Sequence, residues 1–432
     1  MHSQLKIAVI GSGISGLSAA HLLRWNASVT LFEADARFGG HAHTVDLTLD
    51  GVTHGVDTGF LVYNERTYPG LIRLFAELGV TTVKSDMSFS VQVPGAMDGD
   101  DLEWSGTDLA SVFSQKRNLL RPRFWAMLRD LLRFNSLATR LVRADLPDND
   151  QPLGDFLRAN RFGDELRDWY LLPMVGCIWS SPMSEVLKFP VGPLLRFCDN
   201  HGLLQIANRP QWFTVQGGSR QYVEKIIAGL PQARRSAAVR EVVREPGRVL
   251  VKTDAGCESF DRVVIATHPD QALGLLADPT KQEAELLGAI RYQGNRAVLH
   301  TDASVLPSNP RAWAAWNYES AAHSPGDVCV HYLINKLQPL PWSKPVIVSL
   351  NPLRPIDPRC IVREFDYAHP ILDGAAVRAQ AQLQSLQGLH NTWYCGAWTG
   401  FGFHEDGLVS GQAAAKSLLL RSRMQEAAEA SL

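Results

Sequence analysis

The chain lacks several features that would fix its class at once. Its six cysteines (Cys177, Cys198, Cys257, Cys329, Cys360 and Cys395) include no CxxC pair. That argues against a zinc site and against a disulfide framework, and fits reduced thiols in a cytosol. No apolar run reaches the ~18–20 residues that a membrane-spanning helix needs. The formal net charge of the 432 residues is only -2, so no global electrostatic case for a nucleic-acid partner exists. Neither an internal repeat nor a low-complexity linker interrupts the sequence. The first residues read directly into a strand, LKIAVIG, with no basic flank, apolar stretch and cleavage site. No signal peptide is therefore expected, and the expected location is cytoplasmic. What remains is an ordinary folded composition, 45% hydrophobic and 20% charged, in a chain long enough for two or three domains.

Lys6 to Ile10 form a continuous apolar run, the pattern of a strand buried on both faces of a parallel sheet. Gly11 to Gly16 (GSGISG) make a tight turn, Leu17 to Arg24 a small-residue helix, and Ser28 to Glu33 a second strand. Gly11 permits the sharp exit from the strand, Gly13 removes a side chain where a pyrophosphate approaches the backbone, and Gly16 lets helix and strand pack closely. The amides around Ser12, Ile14 and Ser15 are then free to meet the diphosphate. Glu33, about 20 residues on, is the acid that binds a ribose hydroxyl. Strand, glycine turn, helix and acid together predict a dinucleotide site. Asp46 to Gly51 and Val52 to Gly55 read as a hairpin around Asp50-Gly51.

NAD and FAD share that fingerprint, and the following residues separate them. Glu33 and Ala34 lead into DARFGGHAHT, with Arg37, Gly39, Gly40, His41 and Thr44. This resembles the RxGG(R/K)xxT segment of the amine oxidase and phytoene desaturase class of flavoproteins, except that His41 replaces the usual basic residue. A histidine is mostly neutral at pH 7 unless its site raises its pKa. GVDTGF, with Asp57, Thr58, Gly59 and Phe60, resembles the segment that runs under the flavin ring in that class. RVVIATHP, with Thr267, resembles the strand closing over FAD, and WFTVQGGSRQYVEKI the loop and helix before it; Val239 joins the expected cofactor-binding set. In YCGAWTGFGFHEDGLVSGQAAA, a glycine-rich loop and a small-residue helix aim a second helix N-terminus at the flavin. Gly396, Ala397, Asp406, Gly407 and Leu408 belong to this part of the predicted site, where amides stabilise negative charge on the reduced pyrimidine ring. Ala397 stands where the class often has an acid. Cys395 is not where some amine oxidases attach flavin, so the resemblance implies noncovalent FAD.

Longer strings carry a more specific resemblance. SDMSFSV, FPVGPLLRFCDNHGLL, RPQWFTVQGGSRQYV, NPRAWAAWNY and GFGFHEDGL are similar to the flavoprotein domain fused in front of plant cyclopropane fatty acid synthases, and to its stand-alone bacterial relatives. The resemblance spans nearly the whole chain and implies an oxidoreductase linked to modified fatty acids. No methyl-donor domain is expected after residue 420.

Several residues have two readings. His404, Glu405 and Asp406 beside the flavin loop either move a proton during oxidation, with His404 and Glu405 as the catalytic candidates, or serve as caps and turns at a helix start. Trp179, Trp212, Phe213, Trp398, Phe401 and Phe403 either line an apolar tunnel or fill a core. From Lys116 to Arg143, eight basic residues face one acid, Asp130, with Trp125, Leu128 and Leu132 among them; this is either a peripheral membrane contact or a solvated face. His268, His323, His331 and His369 show no metal-ligand spacing, and no metal is expected.

The expected fold is α/β. A Rossmann-like FAD domain of the two-dinucleotide-fold type is built from residues 1–85, 210–275 and 390–420, and an α+β substrate domain from 86–209 and 276–389. The second part of this division opens, from about Met87, in helical, aromatic and basic sequence broken at Pro147, Pro152, Pro173 and Pro182. The last dozen residues, 421–432, are expected to fray. The expected function is FAD-dependent oxidation or desaturation of a hydrophobic acyl chain, with a lipid or other hydrophobic substrate. The alternatives are an amine oxidase acting on a small amine and a non-catalytic flavoprotein partner of a fatty acid methyltransferase.

Overall fold

The computed structural model describes residues 4–97, 99–144, 150–180, 182–205, 209–320 and 328–429. Pro147 and His323 lie outside them. The apolar run at the start forms strand β1 (Lys6–Ile10), followed by helix α1 (Ile14–Leu23) and strand β2 (Ser28–Phe32). Three later strands complete one sheet: β3 (Gln232–Arg234), β4 (Arg262–Ile265) and β5 (Thr392–Tyr394). Their order is β3-β2-β1-β4-β5 and every pairing is parallel. Such a sheet must be covered on both faces. Val9, Leu17, Leu23, Leu31, Val264 and Trp393 are buried in one core, and Ala8, Phe32, Val263, Ile265 and Tyr394 in another. Ile7 lies opposite Arg262, so the strand beside β1 comes from a segment far along the chain.

The hairpin around Asp50-Gly51 forms as Thr44–Leu49 paired with Val52–Asp57. The region after Met87 differs from its helical expectation. It opens with an antiparallel pair, Phe89–Met97 and Asp100–Ser105, which joins a seven-stranded sheet. The other five strands of that sheet come from residues 292–370, and Phe89 pairs in parallel with Trp316. Two distant stretches of chain therefore share one sheet.

Helices follow. Pro152 and Pro182 stand directly before short helices, and Pro173 follows closely on a π-helical turn, Arg167–Leu171, inside a helical run that begins at Asp164. Helix α2 (Pro69–Leu78) packs beside the FAD-type sheet. Helices α3 (Pro122–Arg143), α4 (Leu172–Trp179) and α5 (Val191–Asn200) form a separate layer around Phe134, Leu172, Leu194 and Phe197. The last helix, α6 (His404–Glu429), runs on well past the expected fraying point at residue 421. Its start lies against α1: a Cβ on Gly411 would sit 2.0 Å from the Ser15 carbonyl oxygen, and one on Gly407 would sit 2.7 Å from Ile14 Cγ2. Small residues are what this close crossing requires.

Candidate active site

The glycine turn has the geometry its sequence predicts. Gly11 adopts φ +98°, outside the range of L side chains, and its amide donates to the Phe32 carbonyl at 2.8 Å. A Cβ on Gly16 would lie 1.9 Å from the Gly11 carbonyl oxygen. Gly13 is different: a Cβ there would meet nothing within 4 Å. The turn is thus closed to side chains at Gly16 for packing and open at Gly13, where the cofactor diphosphate needs space. At the end of β2, Glu33 takes both the Ser12 amide (2.9 Å) and the Ser12 hydroxyl on one carboxylate oxygen. This holds the acid over the turn. Ala34 follows it at the surface. Val239 begins the next strand, two residues past Ala237, whose amide donates to the Glu33 carbonyl at 2.8 Å. Val239 and Glu33 therefore share one end of the site.

The GGH segment lies across the same turn. A Cβ on Gly40, at φ +56°, would sit 3.0 Å from Gly13 Cα, and the Gly39 amide donates to the Ser12 carbonyl at 3.1 Å. The His41 Nε2 atom is buried and has no hydrogen-bond partner in the protein. A buried polar atom without a partner is costly, so this nitrogen is a natural donor or acceptor for a bound group. Burial, then the neighbouring His369, His268, His404 and Arg37, hold its pKa well below the usual imidazole value. His41 is accordingly neutral at pH 7 and does not supply the permanent charge its basic counterparts carry. Gly59 closes against His41: a Cβ there would lie 2.3 Å from the His41 carbonyl oxygen. The Thr58 hydroxyl is bonded to Tyr367 Oη at 2.7 Å.

Asp57 is the hub beneath this strand end. It accepts from Thr44 Oγ1, the Ser219 amide and hydroxyl, and Gln338 Nε2. It thereby ties the GG segment, the hairpin and the QGGS loop together. Burial pushes its pKa up to about 6, against the pull of those four donors.

The carboxyl-terminal motif completes the cradle. The indole N–H of Trp398 donates to the Thr267 carbonyl at 3.0 Å, which fixes the strand end at Thr267 to the loop at Ala397. The Gly396 amide donates to Ser410 Oγ. Ser18 Oγ donates to the Leu408 carbonyl at 2.9 Å, so the N-terminal turns of α1 and α6 are bound to each other beside the open glycine. Two positive helix ends converging on one place favour an anionic ligand. Open space at Gly13, the orphaned His41 nitrogen and these helix ends all fit FAD. Cys395 is fully buried in the hydrophobic core.

The two catalytic candidates occupy defined positions. Glu405 accepts the Gly70 and Leu71 amides at 2.6 and 2.9 Å, one on each oxygen, and so caps the start of α2. His404 stacks on Phe60, with centroids 3.8 Å apart, and shares a 2.6 Å hydrogen bond with the Tyr222 hydroxyl. Burial brings its pKa down to about 3, so it is a neutral ring. Asp406 accepts the Phe403 amide at 2.9 Å. Burial pushes its pKa up to about 6, with backbone amides of Phe403 and Phe401 opposing. Asp406 thus accepts at the start of α6, Glu405 caps α2, and His404 is a stacked ring.

Beyond the loop lies an aromatic wall. The Trp179 indole N–H donates to the Phe401 carbonyl at 2.9 Å. Phe197 lies 4.6 Å from Trp179, 5.1 Å from Phe403 and 4.0 Å from His201, centroid to centroid. His201 in turn faces Trp212 at 6.4 Å. Four of the six aromatics singled out in the sequence, Trp179, Trp212, Phe401 and Phe403, are therefore brought together. Phe213 instead stacks on Tyr63, and Trp398 is a buried tie. Phe197 and His201 were not singled out, since nothing in FPVGPLLRFCDNHGLL marks which face of the helix meets the flavin loop. Burial brings His201 down to about 4, so its ring is neutral at pH 7. Among the described residues, Glu319, Cys329 and His331 cluster in the seven-stranded sheet, a grouping that the sequence spacing of His331 does not reveal.

The model of flavin-containing amine oxidoreductases matches residues 14–306, more than half of the chain. A Mycobacterium tuberculosis protein named as a flavin-containing monoamine oxidase, AofH, is 25% identical over 289 residues, covering 63% of this chain and 59% of that protein. The chain thus spans less than two thirds of the length of that curated relative. Cyclohexylamine oxidase from Brevibacterium oxydans superposes with a TM-score of 0.69 at 16% identity, covering 97% of this chain and 100% of that one. A conjugated-linoleic-acid-producing fatty acid isomerase from P. acnes superposes at 0.66 and 15%, covering 95% and 97%. At these identities the two structures establish the shared fold. The open glycine turn and the orphaned His41 nitrogen fit a flavin cofactor, and the match over residues 14–306 places the chain in the flavin-containing amine oxidoreductase family.

Proposed function

We propose that the protein oxidises or desaturates a hydrophobic acyl chain. The observation that carries this reading is the uncharged aromatic wall of Trp179, Phe197, His201 and Phe403 against the flavin loop. The two carboxylates of the flavin loop itself, Glu405 and Asp406, are both engaged by backbone amides. Such a wall binds methylenes by burial, at about 0.8 kcal/mol each, and its own rings carry no negative charge to pair with an ammonium group. The resemblance of the GFGFHEDGL and FPVGPLLRFCDNHGLL strings to a flavoprotein domain linked to fatty acid modification supports the same substrate class. Bound FAD supplies the hydride acceptor, with oxygen or a membrane carrier as the terminal oxidant. The chain's own residues orient the substrate and exclude water from the reacting carbon.

The family match favours a second reading, oxidation of a small amine. Anaerobic mixing of the purified yellow protein with lipid extract, then with an amine panel, separates the two. Bleaching of the flavin by lipid is expected. Bleaching by amines alone overturns the acyl-chain reading, and bleaching by neither supports a non-catalytic partner of a fatty acid methyltransferase.

A further inference from the structure

Helix α3 and the 3-10 turn before it, Lys116–Leu120, carry an outer face that the reaction does not use. Trp125, Arg129, Leu132, Ser136 and Arg143 recur at spacings of four, three, four and seven residues, which places them on one side of the helix. Leu120 is 88% exposed, Leu132 54%, Trp125 49% and Leu119 48%. These are four of the twelve large hydrophobic side chains exposed among the described residues, so they form a concentration rather than a scatter. Trp125 is also tied to the 3-10 turn. The Trp125 indole N–H donates to the Leu119 carbonyl at 3.0 Å, and its ring lies 5.5 Å from Phe113.

Cations outnumber acids around this apolar ridge. Between Lys116 and Arg143 there are eight cations and one acid, Asp130, which is buried. Asp100 pairs with Arg117 and Arg121, Glu165 with Arg123, and Asp130 with Arg129 and Arg133. Eight cations against these three carboxylates leave an excess of five positive charges. Lys116 and Arg140 are exposed and carry no ion pair among the described residues.

We infer that this ridge docks the protein on the surface of an anionic lipid bilayer. Leu119, Leu120, Trp125 and Leu132 enter the boundary between headgroups and acyl chains, while the flanking lysine and arginines meet the phosphates. Long basic side chains suit this position because their stems stay apolar while their heads reach the phosphate. A protein partner would need acidic side chains matched to this one face, whereas an anionic bilayer supplies negative charge and an apolar layer at the depth the ridge requires. The inner side of the same helix, at Phe134 and Ala138, packs with Phe197, so docking brings the aromatic wall's own layer to the membrane. The inference stands whichever substrate the site oxidises, because it concerns the outer face alone.

Sedimentation of the FAD-loaded protein with vesicles tests it without turnover. Vesicles containing phosphatidylglycerol should carry the protein down at low salt, pure phosphatidylcholine vesicles should not, and 0.5 M salt should release most of it. Lys116→Gln with Arg140→Gln should weaken binding about thirtyfold, from the roughly fivefold effect of each basic residue near an anionic surface. Leu120→Ser with Trp125→Ala should weaken it more than tenfold at equal charge. All four positions are exposed, and the visible flavin spectrum of each variant reports an intact fold. Failure to sediment with anionic vesicles at low salt overturns the inference. So does equal binding to neutral vesicles, or full binding by both double variants. If the variants instead abolish a concentration-dependent dimer, the ridge is an interface between copies and the inference also falls.

Discussion

A pair of alanine substitutions in one turn separates folding from cofactor binding. At Gly16 a Cβ lies 1.9 Å from the Gly11 carbonyl oxygen, so the turn must open by about 1.1 Å even to reach the 3.0 Å that Cβ atoms essentially never cross. Overpacking of this kind costs about 1–3 kcal/mol or more, so Gly16→Ala should destabilise the protein with or without flavin. Gly13 has φ -62° and ψ 174°, which alanine adopts freely, and a Cβ there meets nothing within 4 Å. The reduced entropy of the unfolded chain contributes about 0.4–1 kcal/mol to the alanine variant. The poorer N-cap takes away a few tenths to about 1 kcal/mol. Apoprotein stability should therefore stay within about 0.5 kcal/mol of the parent. Placing the diphosphate in this open space predicts that a methyl group there costs the complex about 1–3 kcal/mol, or about 5- to 150-fold in Kd. Denaturant unfolding of the apoproteins gives the first quantity, and fluorescence titration with FAD gives the second. If Gly13→Ala binds FAD with unchanged Kd, or loses as much apoprotein stability as Gly16→Ala, the diphosphate does not lie where the turn is open.

Glu405→Ala should lower the unfolding free energy by about 1–3 kcal/mol, because two amides at the start of α2 lose a charged acceptor; a denaturant midpoint equal to that of the parent would remove the capping role. Tyr222→Phe leaves a buried His404 nitrogen without its partner and should cost about 1–3 kcal/mol, with no change in the flavin content of protein that folds. His331 is buried, which opposes its charge, but Cys329 and Glu319 beside it raise its pKa to about 9. The folded value lies above the unfolded one, so this histidine contributes stability fully below pH 6.5 and loses it as pH rises through about 9; thermal melts across that window should fall more steeply for the parent than for His331→Gln. Phe403→Ala should weaken binding of the reducing substrate by about tenfold or more, read from the substrate dependence of anaerobic flavin bleaching, with FAD affinity unchanged.

The first 33 residues of the fold were legible almost residue by residue, because a strand buried on both faces and a glycine turn each leave a local signature. β1 keeps its sequence-read limits, and α1 begins three residues earlier than the apolar run indicates. The carboxyl-terminal loop was equally readable from GFGFHEDGL. The hairpin at Phe89–Met97 was overlooked in a stretch dominated by the helices that follow it. Its signal was present, since SFSVQV alternates apolar and polar residues with period two. The parallel pairing of that hairpin with Trp316–Glu319 leaves no local trace, because the partners are separated by more than two hundred positions. Glu405 illustrates the limit for chemistry. Its position beside the flavin loop is visible in the motif, but its role depends on Gly70 and Leu71, which only the folded chain brings to it.

The central strand of the parallel sheet also sets a timetable. β1 pairs with β4 across 255 positions, Ile7 opposite Arg262, and β5 and α6 come later still. At about 5–20 residues per second of synthesis, that edge of β1 waits on the order of 13–50 s for its neighbour. An open apolar edge of this kind invites the wrong partner, so the nascent protein is a natural client for chaperones during that interval. The half of the cradle formed by Gly407 and Leu408 is the last to be made. FAD therefore meets a finished site only once Gly407 and Leu408 have left the ribosome, after the neighbour of β1 has already been made.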